Sequence, residues 1–272
     1  MIADGGPSLT AQRVAAHRIG FARVPADYGD PAADDALAAA VANGIEVPDG
    51  RMHDYLGVRT AFFDGVVVRA IGGGTTQIVV GGAGYDGRAL RYAAPAVRWF
   101  EVDHPSTQQE KMAKLRELGL DASHVRFVAA DFIRDPVGDR LVAAGLDASR
   151  PALFLLEGVA VYLEPAVLER LLGEFRDVAA VGSRLAISMP VAGTARTGSR
   201  FRAAVAGMGE PALSRFEPDE AVDLLARTGW HLVAGTGHAG HAGSGQEARR
   251  ERLRSAGLLI AQADGDRLRL SR

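Results

Sequence analysis

IVVGGAGYDGRAL, residues 78–90, is the stretch that decides the fold. A short apolar run leads directly into Gly82, Gly84 and Gly87, which have the G-x-G-x-x-G spacing of a nucleotide-binding loop between a strand and a helix. A carboxylate, Asp103, follows about twenty residues later, as in dinucleotide-binding sites. The pattern therefore predicts an adenosine-containing ligand and leaves open whether that ligand is NAD.

Further apolar runs alternate with segments of helical spacing after this loop. In one such segment Leu168, Leu171 and Phe175 recur at i, i+3 and i+7. Continuous apolar strands that alternate with helices are typical of a parallel sheet covered on both faces. The predicted strands are VRWFEV (97–102), VRFVAA (125–130), ALFLLE (152–157), RLAISM (184–189), HLVAGT (231–236) and GLLIAQAD (257–264).

The segments on either side of the main strands set the predicted domain organisation. Residues 1–75 are predicted to form a helical N-terminal cap, in which Asp30 before a proline has the pattern of a helix N-cap and Gly44 that of a helix stop. Residues 190–217 break the alternation and are predicted to be an inserted lid. We therefore expect a single domain over residues 1–272.

Composition narrows the class of protein. A chain of 272 residues that is 47% hydrophobic can bury a large core. A net charge of −2 gives no sign of nucleic-acid or membrane-surface binding. Because Cys is absent, disulfides and thiolate chemistry are excluded. With no long apolar run and no leader pattern, we expect a cytoplasmic protein.

The residues at the strand ends discriminate between nucleotides, because open α/β sheets bind ligands at the carboxyl ends of their strands. Asp103 after the second strand can accept hydrogen bonds from both ribose hydroxyls, which fits NAD and S-adenosylmethionine (SAM) equally. Asp131 beside Phe132 after the third strand favours SAM, because an acid next to an aromatic ring can hold adenine N6 and cover the base. The alternative is that Asp103 only caps the following helix.

Five ordered motifs resemble the leucine carboxyl methyltransferase family, including its bacterial branch of tetracenomycin-type polyketide carboxyl O-methyltransferases. The resemblance covers residues 9–190 and implies a class I SAM-dependent methyltransferase with a Rossmann-like sheet. The family commonly has Thr where this chain has Gly87, so the dinucleotide match is accidental and NAD is disfavoured. The motifs are VRTAFFD (58–64), IVVGGAGYDGRALR (78–91), WFEVDHPSTQQEK (99–111), VRFVAADF (125–132) and LFLLEGVAVYL (153–163).

The same resemblance implies how SAM would be held before release as S-adenosylhomocysteine (SAH). Tyr162 would lie near the transferred methyl group. The basic residue that some relatives bring from the N-terminus has no clear counterpart, and Gln12 and Arg13 are the nearest positions. The implied contacts are Arg59 with the methionine carboxylate, Gly81, Gly82, Ala83 and Gly84 under the methionyl part, Asp103 with the ribose and Glu101 nearby, Asp131 and Phe132 with adenine, and Glu157 with the amino group.

The resemblance also implies that the acceptor is the carboxylate of a small molecule, and the lack of a clear catalytic base in the sequence is consistent with this. A carboxyl group with a pKa of about 4 is ionised at pH 7, whereas a phenol with a pKa of about 10 would gain from a base such as His53 or His104. Phenol or hydroxyl methylation is therefore the alternative. His231, His238 and His241 have no interleaved carboxylate, so no metal site is predicted.

Several arginines have two interpretations. Arg196, Arg200 and Arg202 in the predicted lid either attract an anionic substrate or belong to a solvated loop. Arg59 either binds the cofactor or pairs with Asp64, and Arg88 is predicted to pair with Asp86 or to support the loop. A SAM-fold protein that binds without turnover remains the alternative from another class.

Overall fold

The computed structural model describes residues 6–193, 198–233, 257–263 and 265. Its strands are β1 (Gln77–Gly81), β2 (Arg98–Asp103), β3 (Val125–Ala129), β4 (Leu153–Leu156), β5 (Arg184–Ser188), β6 (Trp230–Leu232) and β7 (Leu258–Ala263). They form one sheet in the order β3-β2-β1-β4-β5-β7-β6. The first five are parallel, and β7 runs antiparallel between β5 and β6. The strand order reverses between β1 and β4, where such sheets form a crevice for ligands.

Helices precede, connect and cover these strands. Asp30 caps α2 as predicted, since its Oδ1 accepts a hydrogen bond from the backbone N–H of Ala33 at 3.0 Å. The helices are α1 (Leu9–Arg18), α2 (Pro31–Ala42), α3 (Arg51–Gly72), α4 (Arg88–Arg91), α5 (Pro105–Glu117), α6 (Val137–Ala143), α7 (Pro165–Asp177), α8 (Ser199–Ala206) and α9 (Pro218–Arg227), with a 3₁₀ helix at Ala160–Tyr162.

Separate apolar cores cover the two faces of the sheet. On one face Phe154 packs with Phe175 of α7 and Trp230 of β6. On the other, Phe63 of α3 belongs to a cluster with Trp99 of β2. Burial on both faces explains why the central strands are mostly apolar in sequence, and it confirms the predicted α/β fold.

The sequence predicted the edges of the fold less accurately than its centre. The segment 190–217 contains helix α8, where only an irregular insertion was expected. Its two ends meet, because Val191 and Phe216 form a β-bridge. The strand expected at 231–236 is described as Trp230–Leu232, and residues 234–236 lie outside the described residues. No helix within the described ranges is both long and apolar enough to cross a membrane.

Candidate active site

A cavity of about 200 Å³ lies at the carboxyl ends of β1 to β4, under α1. The loops after these four strands form its walls, and the segment after α8 contributes Glu210. The structure thus brings together most of the residues singled out in the sequence. Those that line the cavity are Arg59, Gly82, Ala83, Gly84, Asp103, Asp131, Phe132, Glu157 and Tyr162.

Gly82 and Gly84 set the path of the loop after β1. Both have left-handed backbone, with φ values of 64° and 49°. A Cβ on Gly82 would also lie 2.2 Å from Cγ2 of Val159. Glycine alone satisfies the conformation and the close approach together, so Gly82 lets the loop pack against Val159 after β4 and Gly84 lets it pack against Ala11 of α1.

Gly81 and Gly87 are packing residues that do not line the cavity. A Cβ on Gly81 would lie 3.1 Å from Cζ of Phe175. A Cβ on Gly87 would lie 1.8 Å from Oδ1 of Asp34, at the start of α2. The third glycine of the dinucleotide-like spacing is therefore explained by the approach of the N-terminal helices.

Asp103 joins the glycine loop to the end of β2. Its carboxylate accepts hydrogen bonds from the backbone N–H of Gly84 and, at 2.6 Å, from that of His104. The N-cap of α5 is His104, so the interpretation of Asp103 as the cap of this helix was wrong. Burial raises the pKa of Asp103, although the two N–H groups oppose this shift. A carboxylate has further lone pairs with which to accept hydrogen bonds from a ligand.

Asp131 and Phe132 form the wall of the cavity after β3. Asp131 Oδ1 accepts a hydrogen bond from the backbone N–H of Ile133 at 2.9 Å. Its other oxygen, Oδ2, lies 3.8 Å from Nε of the exposed Arg134, and this loose contact leaves Oδ2 available to a ligand. The ring of Phe132 is half-buried beside it.

Glu157, after β4, is the centre of an ion-pair cluster. Its carboxylate pairs with Arg59 Nε at 2.8 Å, with Arg18 at 3.0 Å and with Arg88. Burial alone would raise the pKa of Glu157, but Arg88, Arg18 and Arg59 hold it well below its ordinary value. Glu157 is therefore ionised at any physiological pH.

The alternative partner suggested for Arg59 was wrong. Asp64 pairs instead with Arg23 Nε at 2.6 Å and with Arg88 Nε at 2.7 Å. Arg59 faces the cavity from α3 and pairs with Glu157. The predicted pairing of Arg88 with Asp86 is confirmed.

Arg18 of α1 is a cavity residue that the sequence analysis missed. It lines the cavity together with Ala11 and Val14, at i−7 and i−4 on the same helix face. Its buried Nε has no hydrogen-bond partner among the described residues. A buried donor without a partner is costly, so this position suits an acceptor group of a ligand. The helical spacing from Ala11 is the signal that could have identified Arg18.

Glu101 lies away from the cavity, although it is close to Asp103 in sequence. It is 2% exposed and pairs with Lys111 Nζ of α5. Burial raises the pKa of Glu101 while Lys111 opposes the shift. We therefore leave Glu101 out of the proposed cofactor contacts.

A second cavity, of about 990 Å³, adjoins the first. Thr10, Val14, Arg59 and Tyr162 line both cavities, so Tyr162 lies at their junction. Apolar residues of α3 and α8 and several basic side chains complete the second cavity. Asp and Glu are absent from its lining, as far as the chain is described.

The arginines of the expected lid have different positions. Arg202 is exposed on α8 and does not line either cavity, whereas Phe201 and Val205 of the same helix line the second. Arg196 and the side chain of Arg200 lie outside the described residues. Arg202 thus has no contact with the second cavity.

The histidines do not form a metal site within the described segments. His53 Nδ1 lies 3.1 Å from Nδ1 of His17, and His17 lines the second cavity. Burial, followed by the charges of His53 and nearby arginines, lowers the pKa of His17. His104 lines the first cavity and bonds Ser106 Oγ at 2.8 Å. His238 and His241 lie outside the described residues.

Glu210 is a second residue that the sequence analysis missed. This buried carboxylate accepts hydrogen bonds from the backbone N–H and hydroxyl of Thr10, at 3.1 and 2.6 Å, and from the hydroxyl of Ser8. It thereby fastens the segment after α8 to the start of α1, over the first cavity. No local pattern marks it, because its partners are about 200 residues away in sequence.

Known proteins share both the sequence pattern and the cavity-forming fold. Residues 15–176 match the leucine carboxyl methyltransferase family. Two provisionally named SAM-dependent methyltransferases are similar: one from Saccharopolyspora erythraea is 37% identical over 187 residues, and one from Mycobacterium avium is 36% identical over 195. These matches cover 66% and 67% of this chain. They cover 65% and 62% of the relatives, so the chain spans slightly less than two thirds of their length.

Solved structures agree with this assignment at the level of the fold. A provisionally named methyltransferase from Thermobifida fusca has a TM-score of 0.60 at 22% identity, over 97% of both chains. A DUF574 family protein from Streptomyces avermitilis has a TM-score of 0.55 at 19% identity, over 94% of this chain and 97% of its own. The expected class I methyltransferase fold is thereby confirmed. Since the family match covers more than half of the sequence, the chain belongs to the leucine carboxyl methyltransferase family of SAM-dependent methyltransferases.

Proposed function

We propose that the protein transfers the methyl group of SAM to a carboxylate of a small amphipathic molecule. The junction at Tyr162 carries this proposal. There the first cavity, formed by the glycine loop and the acids at the strand ends, meets the second. The described lining of the second cavity combines cationic and apolar side chains and contains no acid. Such a lining favours an anionic acceptor with an apolar body. A carboxylate is ionised at pH 7 and can attack without a general base.

The first cavity suits SAM at each of its chemical groups. Glu157 accepts from three arginines and, with about four acceptor positions on a carboxylate, retains room for an ammonium donor. The unpartnered Nε of Arg18 suits the methionine carboxylate. The proposed contacts are Arg18 and Arg59 with the methionine carboxylate, Glu157 with the amino group, Gly82, Ala83 and Gly84 under the methionyl part, Asp103 with the ribose, and Asp131 and Phe132 with adenine.

Tyr162 is proposed as a positioning residue. A methyl sulfonium is already an activated electrophile, so the protein has mainly to align the acceptor oxygen with it. Such alignment can contribute up to roughly 7–11 kcal/mol in ideal cases. We further propose that the described parts of the N-terminal cap and of the inserted segment, residues 6–75, 190–193 and 198–217, belong to the same domain as the sheet and together roof the site.

The test combines ligand binding with product analysis. Calorimetry should show saturable SAH binding and no NAD binding. Incubation with SAM and amphipathic carboxylic acids should give methyl esters that mild alkali hydrolyses. Binding of NAD without SAH would refute the cofactor assignment, and SAH binding without turnover of any acid would refute the acceptor.

A hydroxyl or phenol acceptor is the second candidate, and His17 is the observation that favours it. His17 lines the acceptor cavity, and its lowered pKa keeps the ring neutral and able to accept a proton at pH 7. This candidate requires an alkali-stable methyl ether as product and loss of turnover in His17→Gln. The carboxylate proposal requires an ester and a rate that survives this substitution.

A further inference from the structure

Exposed arginines line the second cavity without lining the first. They are Arg13 of α1, Arg51 at the start of α3 and Arg215 after α8. Arg13 and Arg51 have no ion-pair partner among the residues that the structure describes. Arg215 has only a loose one, Glu217 at 3.8 Å. The second cavity therefore has several positive charges that no carboxylate of the described segments closely neutralises.

The rest of this cavity is largely apolar. Met52 and Leu56 of α3 face it, as do Phe201 and Val205 of α8 and the following Met208. The basic side chains are exposed to solvent, whereas Leu56 and Val205 are buried. An occupant would consequently have an apolar body with negative charge where it meets solvent.

The reacting oxygen is a poor partner for these arginines. It must reach the junction at Tyr162, where the only arginine shared by both cavities, Arg59, is already paired with Glu157 at 2.8 Å. A carboxylate also loses its charge on methylation, so cations bound to it would stabilise the ground state more than the transition state and slow the reaction. The unpaired arginines therefore suit an anionic group that does not react.

We propose that Arg13, Arg51 and Arg215 form a subsite for a second, non-reacting anionic group of the acceptor. The inference rests on the proposed function, since it places the reacting group at the junction of the two cavities. The acceptor class is then an elongated, largely apolar molecule with a carboxylate at one end and another acidic group at the other. With this subsite the protein would bind diacids more tightly than monoacids.

The test uses α,ω-dicarboxylic acids of increasing chain length as probes. With SAM, one chain length should be methylated fastest, and the monoester should accumulate before the diester forms. The monoester would have to place its remaining carboxylate at the junction, and its ester would then face the arginines, so the second methylation should be about tenfold slower. Equal rates for both methylations would overturn the subsite.

Variants identify the arginines responsible. Each exposed ion pair is worth up to about fivefold in affinity, so Arg13→Gln combined with Arg51→Gln should raise KM for the preferred diacid about tenfold, with little change in kcat or SAH affinity. Arg202→Gln, which removes an exposed arginine of α8 outside both cavities, is the matched control and should change none of these.

A binding measurement separates this inference from the proposed function. Calorimetric titration of the SAH-bound protein with the diacids needs no turnover. Diacid binding that weakens in the double variant and not in Arg202→Gln supports the subsite, even where no acid is methylated. The absence of methylation would refute only the carboxylate acceptor. Absence of diacid binding, or equal binding by wild type and double variant, overturns the subsite.

Discussion

Two acids of the same strand, Asp103 and Glu101, have opposite surroundings. Asp103 lines the first cavity, whereas Glu101 is 2% exposed and pairs with Lys111. We expect Asp103→Asn to weaken SAH binding about ten- to a hundredfold, because a charge-assisted hydrogen bond is worth about 1.5–3 kcal/mol. Its melting temperature should fall less than that of Glu101→Gln, because Asn keeps one acceptor oxygen for the backbone N–H groups of Gly84 and His104. Calorimetry measures the SAH affinity, and thermal unfolding measures the stability.

Glu101→Gln is the matched variant for this prediction. It leaves Lys111 charged and buried without its partner, which costs about 3–5 kcal/mol of unfolding free energy. SAH affinity of the folded protein should be retained. If Asp103→Asn instead melts early and binds SAH normally, Asp103 is a structural residue of the loop after β1.

At this scale the sequence predicts residues at strand ends better than it predicts their partners. Asp103 and Asp131 follow strands whose apolar runs are evident, so their place at the cavity could be expected. Arg59 pairs with a residue 98 positions away, and that pairing depends on how α3 packs over the sheet. Local spacing carries no information on such packing, which is why Asp64 was the wrong partner.

Among the elements, α1 and the segment after α8 are joined by a single buried carboxylate. Glu210 accepts its hydrogen bonds from Ser8 and Thr10, and all three residues line the first cavity. A ligand in this cavity would lie beneath that contact. The contact over the first cavity therefore depends in part on polar interactions, which can open at lower cost than an apolar core.

Glu210→Gln should speed SAH release. Removing the charge weakens hydrogen bonds worth about 1.5–3 kcal/mol, so we expect dissociation to be about tenfold faster in stopped-flow displacement. Glu117→Gln, on the exposed face of α5, is the control and should behave as wild type. An unchanged release rate together with a lower melting temperature would make Glu210 purely structural.

The elements could be predicted to different extents. Strands β1, β2, β4 and β5 followed from short, mainly apolar runs that are buried on both faces of the sheet, whereas β3, at its edge, exposes Arg126. Helix α8 was missed in a segment rich in Gly, Ala and Arg, although Phe201, Val205 and Met208 have helical spacing. Glycine and arginine residues concealed this short apolar face, which packs with Val161 after β4, a contact that local spacing does not show.

For the molecule as a whole, buried ion pairs join the N-terminal helices to one another and to the loops of the sheet. Arg23, between α1 and α2, pairs with Asp34 at 2.7 Å and with Asp64 of α3 at 2.6 Å. Arg18 of α1 lies 3.4 Å from Asp86 in the loop after β1. Because these partners are nearly inaccessible to solvent, salt should screen them far less than surface pairs.

Acid should therefore loosen this connection before it affects the apolar cores. Although burial opposes the shift, Arg18 and Arg88 lower the pKa of Asp86 from 3.8 to about 2. A depressed folded-state pKa contributes stability that is present above pH 3.8 and is lost as the pH falls toward 2, here roughly 2 kcal/mol. The pKa values of Asp64 and Glu157 are lowered as well, so their contributions have the same sign.

We expect Asp86→Asn to unfold at lower denaturant concentration than wild type at pH 7, and the difference in unfolding free energy should shrink steadily between pH 4 and pH 2. The reason is that wild-type Asp86 then becomes protonated and loses its advantage over Asn. Asp177→Asn, an exposed acid of α7, is the control and should follow wild type throughout. A difference that stays constant from pH 7 to pH 2 would mean that Asp86 stabilises the protein through its hydrogen bonds and not through its charge.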